Sequence, residues 1–299
     1  MSSNTMPGFT DRFVASQADH TLFEKGYVMR VVIFCDMEGI SCIEHWDQVT
    51  AGSAIYEQSR KLYTDEMNAA VRGARAAGAR EIVVVDCHGA GGAYSFKSFI
   101  PEQLESGAQY VFGYPWARYI AAFEQGCDAI LFLGAHAMAG TPDGVLCHTV
   151  SSEAWYNAWI NDTLVGESGI LAAVAGCWDV PAIFVSGDEA TCREVTAMLG
   201  EEIVTAPVKI GLGRYSSINM APKDACSLIE MRVAQAISMK HWPKPLKFTT
   251  PVTFRVELAS PDRADDFKGR TGVKFEGPRT VSSRGGNFWQ AWDQFWYRN

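Results

Sequence analysis

The run Val31-Val32-Ile33-Phe34-Cys35-Asp36-Met37-Glu38-Gly39-Ile40 sets the architecture. Its first five residues are apolar or nearly so, as in a strand of a parallel sheet buried on both faces. The run then breaks at two carboxylates separated by one residue and followed by glycine. Ligands of open α/β sheets bind at the carboxyl ends of the strands, and alternation along an extended chain points Asp36 and Glu38 to the same side. Two carboxylates sharing one direction repel unless a cation lies between them, so a metal ion accounts for the pair. Taken alone, the same three residues also read as an Asp capping a turn beside a solvated Glu.

The flanking sequence repeats the pattern. Glu81-Ile82-Val83-Val84-Val85-Asp86 ends in Cys87-His88-Gly89, and Asp128 to Gly134 ends in Ala135-His136-Ala137. Pro181 to Val185 supplies a fourth strand, and Val145 to Val150, after the turn Thr141-Pro142-Asp143-Gly144, is expected to form a short extended segment holding His148. Helical spacing is expected from Tyr56 to about Ala77, from Pro115 to Gln125, from Val165-Gly166-Glu167 to about Gly176, and from Gly187-Asp188 to Leu199. This alternation predicts an α/β fold, a mostly parallel open sheet with flanking helices. Past Ala206 the pattern changes to a helix from Ala221 to Met239, an alternating strand from Thr249 to Leu258, and an aromatic-rich helix from Asn287 to Tyr297. A smaller C-terminal α+β portion follows from that. The expected organisation is an N-terminal arm over residues 1–28, a metal-binding catalytic domain over 29–206 and a smaller domain over 207–299.

Composition narrows the partners. A net charge of -8 opposes binding to nucleic acid or to anionic membranes. No run approaches the roughly 18 apolar residues of a membrane span, and the first 28 residues lack the pattern of a signal peptide. The eight cysteines are scattered without a C-x-x-C pair, as expected of reduced thiols in a cytoplasmic protein.

Collected, the chemistry-bearing residues at the expected rim are Asp36, Glu38, His88, His136, His148 and Glu167. Singly, each histidine also fits a hydrogen-bonded core position, and Glu167 fits an acid favoured by a helix N-terminus. Jointly they supply oxygen and nitrogen ligands without sulfur, a set suited to one or two zinc-like ions. Two dications held about 3.5–4 Å apart need an anionic bridge, and Asp36 is placed for it; such a pair acidifies water and polarises a carbonyl, the chemistry of amide hydrolysis. His148 follows a turn and ends no long strand, which leaves it for proton transfer or oxyanion stabilisation.

The stretches Asp36-Met37-Glu38-Gly39-Ile40-Ser41, Asp86-Cys87-His88, Gly134-Ala135-His136-Ala137, Cys147-His148-Thr149 and Ile160-Asn161-Asp162 through Val165-Gly166-Glu167-Ser168-Gly169 resemble the signature series of the D-aminopeptidase family, with a weaker echo in Ala206-Pro207-Val208-Lys209. The resemblance implies a two-zinc peptidase assembled as a ring-shaped homodecamer with its sites facing an inner chamber. It implies Asp36, Glu38, His88, His136 and Glu167 as zinc ligands and His148 as the catalytic histidine. The sequence departs from the family pattern in its longer N-terminal arm and in two loops rich in glycine and aromatics, after His88 and around Trp155 to Trp159, which are expected to line the substrate pocket. A zinc-dependent aminopeptidase releasing N-terminal D-residues from short peptides is therefore expected. The alternatives are a metal-dependent amidohydrolase or deaminase acting on a non-peptide, aromatic amide or amine, and a non-catalytic metal-binding scaffold. Oligomerisation is also expected because one chain has few places to bury the aromatic C-terminal helix.

Overall fold

The computed structural model describes residues 28–296; the expected N-terminal arm lies outside them but for its last residue. Strand β1 (Arg30–Cys35) is followed by helices α1 (Trp46–Val49) and α2 (Tyr56–Ala76), strands β2 (Glu81–Asp86) and β3 (Gln109–Val111), helix α3 (Ala121–Glu124) and strand β4 (Ala129–Ala135). Then come β5 (Trp155–Ile160), β6 (Thr163–Leu164), α4 (Glu167–Gly176), β7 (Ala182–Asp188), α5 (Glu189–Leu199), β8 (Val204–Gly213), β9 (Ser216–Asn219) and α6 (Pro222–Ser238). The chain closes with β10 (Val252–Leu258), α7 (Pro261–Asp265), β11 (Lys274–Gly277), β12 (Thr280–Gly285) and α8 (Phe288–Asp293).

Seven strands form the main sheet in the order β3-β2-β1-β4-β7-β8-β9, parallel except for β9. β1 lies inside it, paired with β2 on one side and β4 on the other. Alternation splits its side chains: Val31, Ile33 and Cys35 enter the core shared with α2 and α6, whereas Val32 and Phe34 enter the core shared with α4 and the second sheet. A strand clad on both faces has no polar side, which is why its sequence is a continuous apolar run. The chain runs from β1 outward to β2 and β3, then returns to β4 on β1's other side. That reversal opens a crevice at the carboxyl ends of β1 and β4.

The second sheet is antiparallel, β11-β12-β10-β5-β6, and β10 alternates buried and half-buried residues as a sheet with one covered face should. Its aromatic core gathers Trp155, Phe254, Phe267, Phe288, Trp292 and Phe295. The aromatic C-terminal helix thus buries Phe288 and Trp292 within this chain, and it needs no neighbour to do so. Between the sheets lies α4, in which every residue from Ser168 to Gly176 is buried. A helix apolar on all sides belongs between two layers.

Both layers draw on both halves of the chain. Position 206 falls within β8 of the main sheet, α6 packs on α2, and β5 and β6 belong to the second sheet. Three local expectations change. The segment from Pro115 to Gln125 is a single turn at Trp116–Arg118 followed by the short α3, interrupted at Tyr119 and Ile120. Trp155 to Trp159 belongs to a strand. The expected extended segment over 145–150 is instead irregular, with Leu146 and Val150 at φ +50° and +61°, a backbone conformation that no strand allows.

Candidate metal centre

The tails of β1 and β4 cross at close range. Asp36 N donates to Leu133 O and Gly39 N to Gly134 O, both at 2.8 Å. A Cβ on Gly39 would fall 2.0 Å from Ala135 O, and one on Gly134, at φ +63°, 2.2 Å from Asp36 O. Only glycine permits this approach. It brings Asp36 and His136 together at the centre of the crevice.

The residues singled out from sequence meet there. Asp36 presents its two oxygens to opposite sides: Oδ1 lies 3.2 Å from His88 Nδ1, and Oδ2 lies 3.4 Å from His136 Nε2. Glu38 Oε2 is 3.1 Å from the same His88 nitrogen, and Glu167 Oε1 is 3.2 Å from the same His136 nitrogen. Two half-sites result, Asp36-Glu38-His88 and Asp36-His136-Glu167, joined through one carboxylate. His148 stands on the second, its Nε2 3.7 Å from Glu167 Oε1 and its ring stacked on that of His136.

Backbone carbonyls fix which nitrogen each histidine offers. His88 Nε2 donates to Val49 O (2.7 Å), His136 Nδ1 to Ala137 O (3.0 Å) and His148 Nδ1 to Leu146 O (2.9 Å). A carbonyl oxygen only accepts, so each of these nitrogens carries the hydrogen. His88 Nδ1, His136 Nε2 and His148 Nε2 remain for a metal or a proton. His136 Nε2 is buried without a hydrogen-bond partner, an orphan that a cation would satisfy. The ligand atoms of Asp36, Glu38 and His136 cluster within 4.8 Å, as do those of His136, His148 and Glu167. Both groups are borderline-hard nitrogen and oxygen donors that fit zinc.

Electrostatics match. Burial works to raise the Asp36 carboxyl, but the facing imidazoles of His136 and His88 outweigh it and hold the group well below the usual carboxylate range. Burial also opposes charge on His88 and His136, yet the facing carboxylates push both well above an ordinary histidine. The centre therefore carries surplus negative charge that draws protons or cations. His148 goes the other way: burial and then the neighbouring His136 lower its pKa.

Supporting residues to which the sequence assigns no role hold the loops. Lys209, buried within β8, donates through Nζ to the carbonyls of Glu38, Ile40 and Ile43 at 2.6, 2.8 and 2.5 Å. Glu66 Oε1 on α2 accepts from Ser41 N and Oγ. Asp86 accepts from His88 N, Ser98 N and Tyr63 Oη, and burial raises its pKa to about 6. Asp86 and Lys209 lie in stretches that carry the family resemblance, Asp86-Cys87-His88 and Ala206-Pro207-Val208-Lys209, whereas Glu66 lies in none. His45 is exposed and caps α1, with Nδ1 accepting from Asp47 N, so it takes no part in the centre.

A cavity of about 460 Å³ opens onto Asp36, Glu38, His88, His148 and Glu167. Trp46, Phe96, Trp116 and Trp296 supply its aromatic walls. His136 lies behind the carboxylates and does not reach it.

Known proteins share this arrangement of fold. The chain is similar to a solved structure of a Zn-dependent D-aminopeptidase, DppA from Bacillus subtilis, described as a self-compartmentalizing protease: TM-score 0.81 at 28% identity, covering 89% of this chain and 95% of that one. It is also 30% identical over 239 residues to a D-aminopeptidase of Bacillus subtilis (strain 168), spanning 79% of this chain and 84% of the relative. The profile of the peptidase M55 family, described as D-aminopeptidase, matches residues 29–297, nearly the whole chain, which therefore belongs to the D-aminopeptidase family.

Proposed function

We propose that this protein is a zinc-dependent aminopeptidase that releases N-terminal D-residues from short peptides, with Asp36, Glu38, His88, His136 and Glu167 holding two zinc ions per chain. One observation carries this: Asp36 turns one oxygen toward each of two histidines whose other nitrogens are tied to backbone carbonyls. A carboxylate shared between two such half-sites is what two neighbouring dications require. Zinc bound there supplies Lewis acidity toward an amide carbonyl and acidifies water at the site. His148 Nε2 is bare when the ring is neutral, and its lowered pKa keeps it neutral near pH 7, ready to accept a proton and return it to the leaving amine. The residues lining the cavity beside it hold the substrate and exclude water.

Assembly into a closed homo-oligomer, a decamer in the family pattern, is part of the proposal, supported by the self-compartmentalizing relative. A cytoplasmic location is supported by eight cysteines that all remain free thiols. Among the described residues no helix is long and apolar enough to cross a membrane. Metal analysis of protein purified without chelator, followed by a comparison of D- and L-aminoacyl dipeptides, tests the proposal. Absence of zinc, with no activity gained on adding it, would overturn it.

The aromatic walls favour a second reading of the substrate. Trp46, Phe96, Trp116 and Trp296 around one mouth fit a bulky or aromatic group better than a methyl side chain. Aryl amides tested beside D-alanyl dipeptides separate the two.

A further inference from the structure

The turn that carries His148 is held largely from outside. Leu146 and Val150 sit at φ +50° and +61°, a conformation that bulky side chains disfavour, so the turn depends on ties to its surroundings. Val145 N donates to Asp188 Oδ2 at 2.7 Å, His148 N to Ala137 O at 3.2 Å and Val150 N to Glu167 Oε1 at 2.7 Å. Leu146 and Cys147, the two residues before the histidine, are both tied to Arg214, one of the two residues that join β8 to β9. Leu146 N donates to Arg214 O at 2.9 Å, and Arg214 Nη2 donates to Cys147 O at 3.2 Å.

The same side chain reaches the His148 ring by a second route. Its guanidinium lies over Trp46, with Cζ 5.5 Å from the ring centroid, and Trp46 stands edge-on to His148 with centroids 5.5 Å apart. Trp46 Nε1 donates to Tyr215 Oη at 3.3 Å, which fixes the tilt of the indole. The His148 ring is thus bounded by His136 on one side and by Trp46 on another. A planar guanidinium can donate in its plane to a carbonyl while its face covers an aromatic ring; the ammonium of a lysine cannot do both. Arg214 Nε is buried without a hydrogen-bond partner among the described residues, an arrangement set by what the rest of the side chain holds and not by its own hydrogen bonding.

We propose that Arg214 is a positioning residue for proton transfer by His148, fixing the backbone before the histidine through Cys147 O and the ring through Trp46. The transfer rests on the peptidase reading above; the hold on the ring does not. A base must keep its nitrogen aimed at the reacting atoms, and a misplacement of about 1 Å is enough to lower turnover while substrate binding survives. Among the described residues Arg214 belongs neither to the ligand groups nor to the cavity lining, so its influence on the reaction runs through the residues it holds.

Arg214→Ala and Arg214→Lys, each made in the wild-type chain and in His148→Ala and assayed on a D-alanyl dipeptide, test this. Both substitutions keep the Arg214 carbonyl, so Leu146 N retains its acceptor and only the guanidinium is removed. In the wild-type background each should lower kcat roughly 10–100-fold, with KM little changed and zinc content native. In His148→Ala the further change Arg214→Ala should have no effect, since residues that act as one unit are not additive. An equal loss in both backgrounds overturns the proposal, because a general loosening of the fold would produce it. Unchanged kcat in Arg214→Ala, loss of its zinc, or full turnover in Arg214→Lys overturns it as well. Should Arg214→Ala not fold, Arg214→Lys carries the same cycle. If the wild-type chain itself cleaves no peptide, the peptidase reading falls, and the hold on the ring is read from the rate at which diethyl pyrocarbonate acylates His148, followed by peptide mass spectrometry. The held side chain is only 11% exposed, so its release should make that rate severalfold higher in Arg214→Ala. An equal rate overturns the hold.

Discussion

The imidazoles of His136 and His148 lie stacked, with ring centroids 3.9 Å apart and planes 12° from parallel. One turns its free nitrogen to Asp36 and Glu167 together, while the other approaches Glu167 alone at 3.7 Å. The proposed split between His136 as ligand and His148 as proton carrier rests on that inequality. His148→Ala should retain zinc and the native melting temperature while turnover falls roughly 10²–10⁴-fold. Release of zinc from this variant would instead make His148 a ligand.

The shared carboxylate makes a graded prediction. Asp36→Ala should abolish binding of both ions, whereas Glu38→Ala should spare the half-site of His136 and Glu167. Zinc per chain, counted by elemental analysis, should read none for the first and one for the second. One ion retained in Asp36→Ala would move the bridge elsewhere.

Lys209 sets the shape of the Glu38 loop from behind. Lys209→Met would leave three buried carbonyls without their donor. Denaturant unfolding should show a loss of roughly 1–3 kcal/mol. Competition with a chelator should show zinc held roughly 10–100-fold more weakly, since the support of a ligand is lost along with stability.

Glu66 gives stability a pH dependence of known sign. Burial raises its carboxyl from 4.5 to about 7, against the hydrogen bonds from Ser41. The folded chain thus keeps a proton that the unfolded chain releases near 4.5. The stability linked to that proton is complete below 4.5 and is lost as pH rises through about 7. Glu66→Gln keeps an acceptor for Ser41 and cannot ionise, so it should melt a few degrees higher than wild type at pH 8 and close to it at pH 5. Equal melting temperatures at pH 8 would contradict the buried, raised carboxyl.

Gly39→Ala should damage both fold and centre. Its methyl would meet Ala135 O at 2.0 Å, a backbone atom that cannot swing aside. β1 and β4 would have to part, at a cost of about 1–3 kcal/mol. A lowered melting temperature together with weakened zinc binding is expected.

What the sequence displays depends on how each residue is used. β1, β2 and β4 are legible because strands covered on both faces are apolar throughout, and Asp36, His88 and His136 are legible because they follow those runs directly. β5 is masked: Tyr156 and Asn157 interrupt an apolar run, and its partner β10 lies about a hundred residues away. The turns around His148 are masked for another reason. Leu146 and Val150 adopt positive φ, which bulky side chains disfavour, so only the surrounding packing sets it. Glu66 carries no local signal, and Lys209 and Trp296 lie in stretches whose sequence does not disclose what they touch. Each matters through a contact with a loop distant in sequence, and a lone acid on a helix or a lysine in a strand looks the same with or without it.

The wedging of α4 between the two sheets has a consequence for how this enzyme fold can diversify. Asp36, Glu38, His88 and His136 all follow strands of the main sheet, and the helix contributes only Glu167 from its first turn. Trp296 and the loop at Ser151–Glu153 reach the cavity from the opposite side, attached to the second sheet. Part of the cavity lining thus rests on a different layer from the proposed ligand set, while Trp46, Phe96 and Trp116 stand on the main sheet's side with the ligands. Changes in the second layer can redraw what the cavity accepts while the ligand set keeps its spacing, so one chemistry can be handed from peptide to peptide, or from peptide to another amide, without being rebuilt.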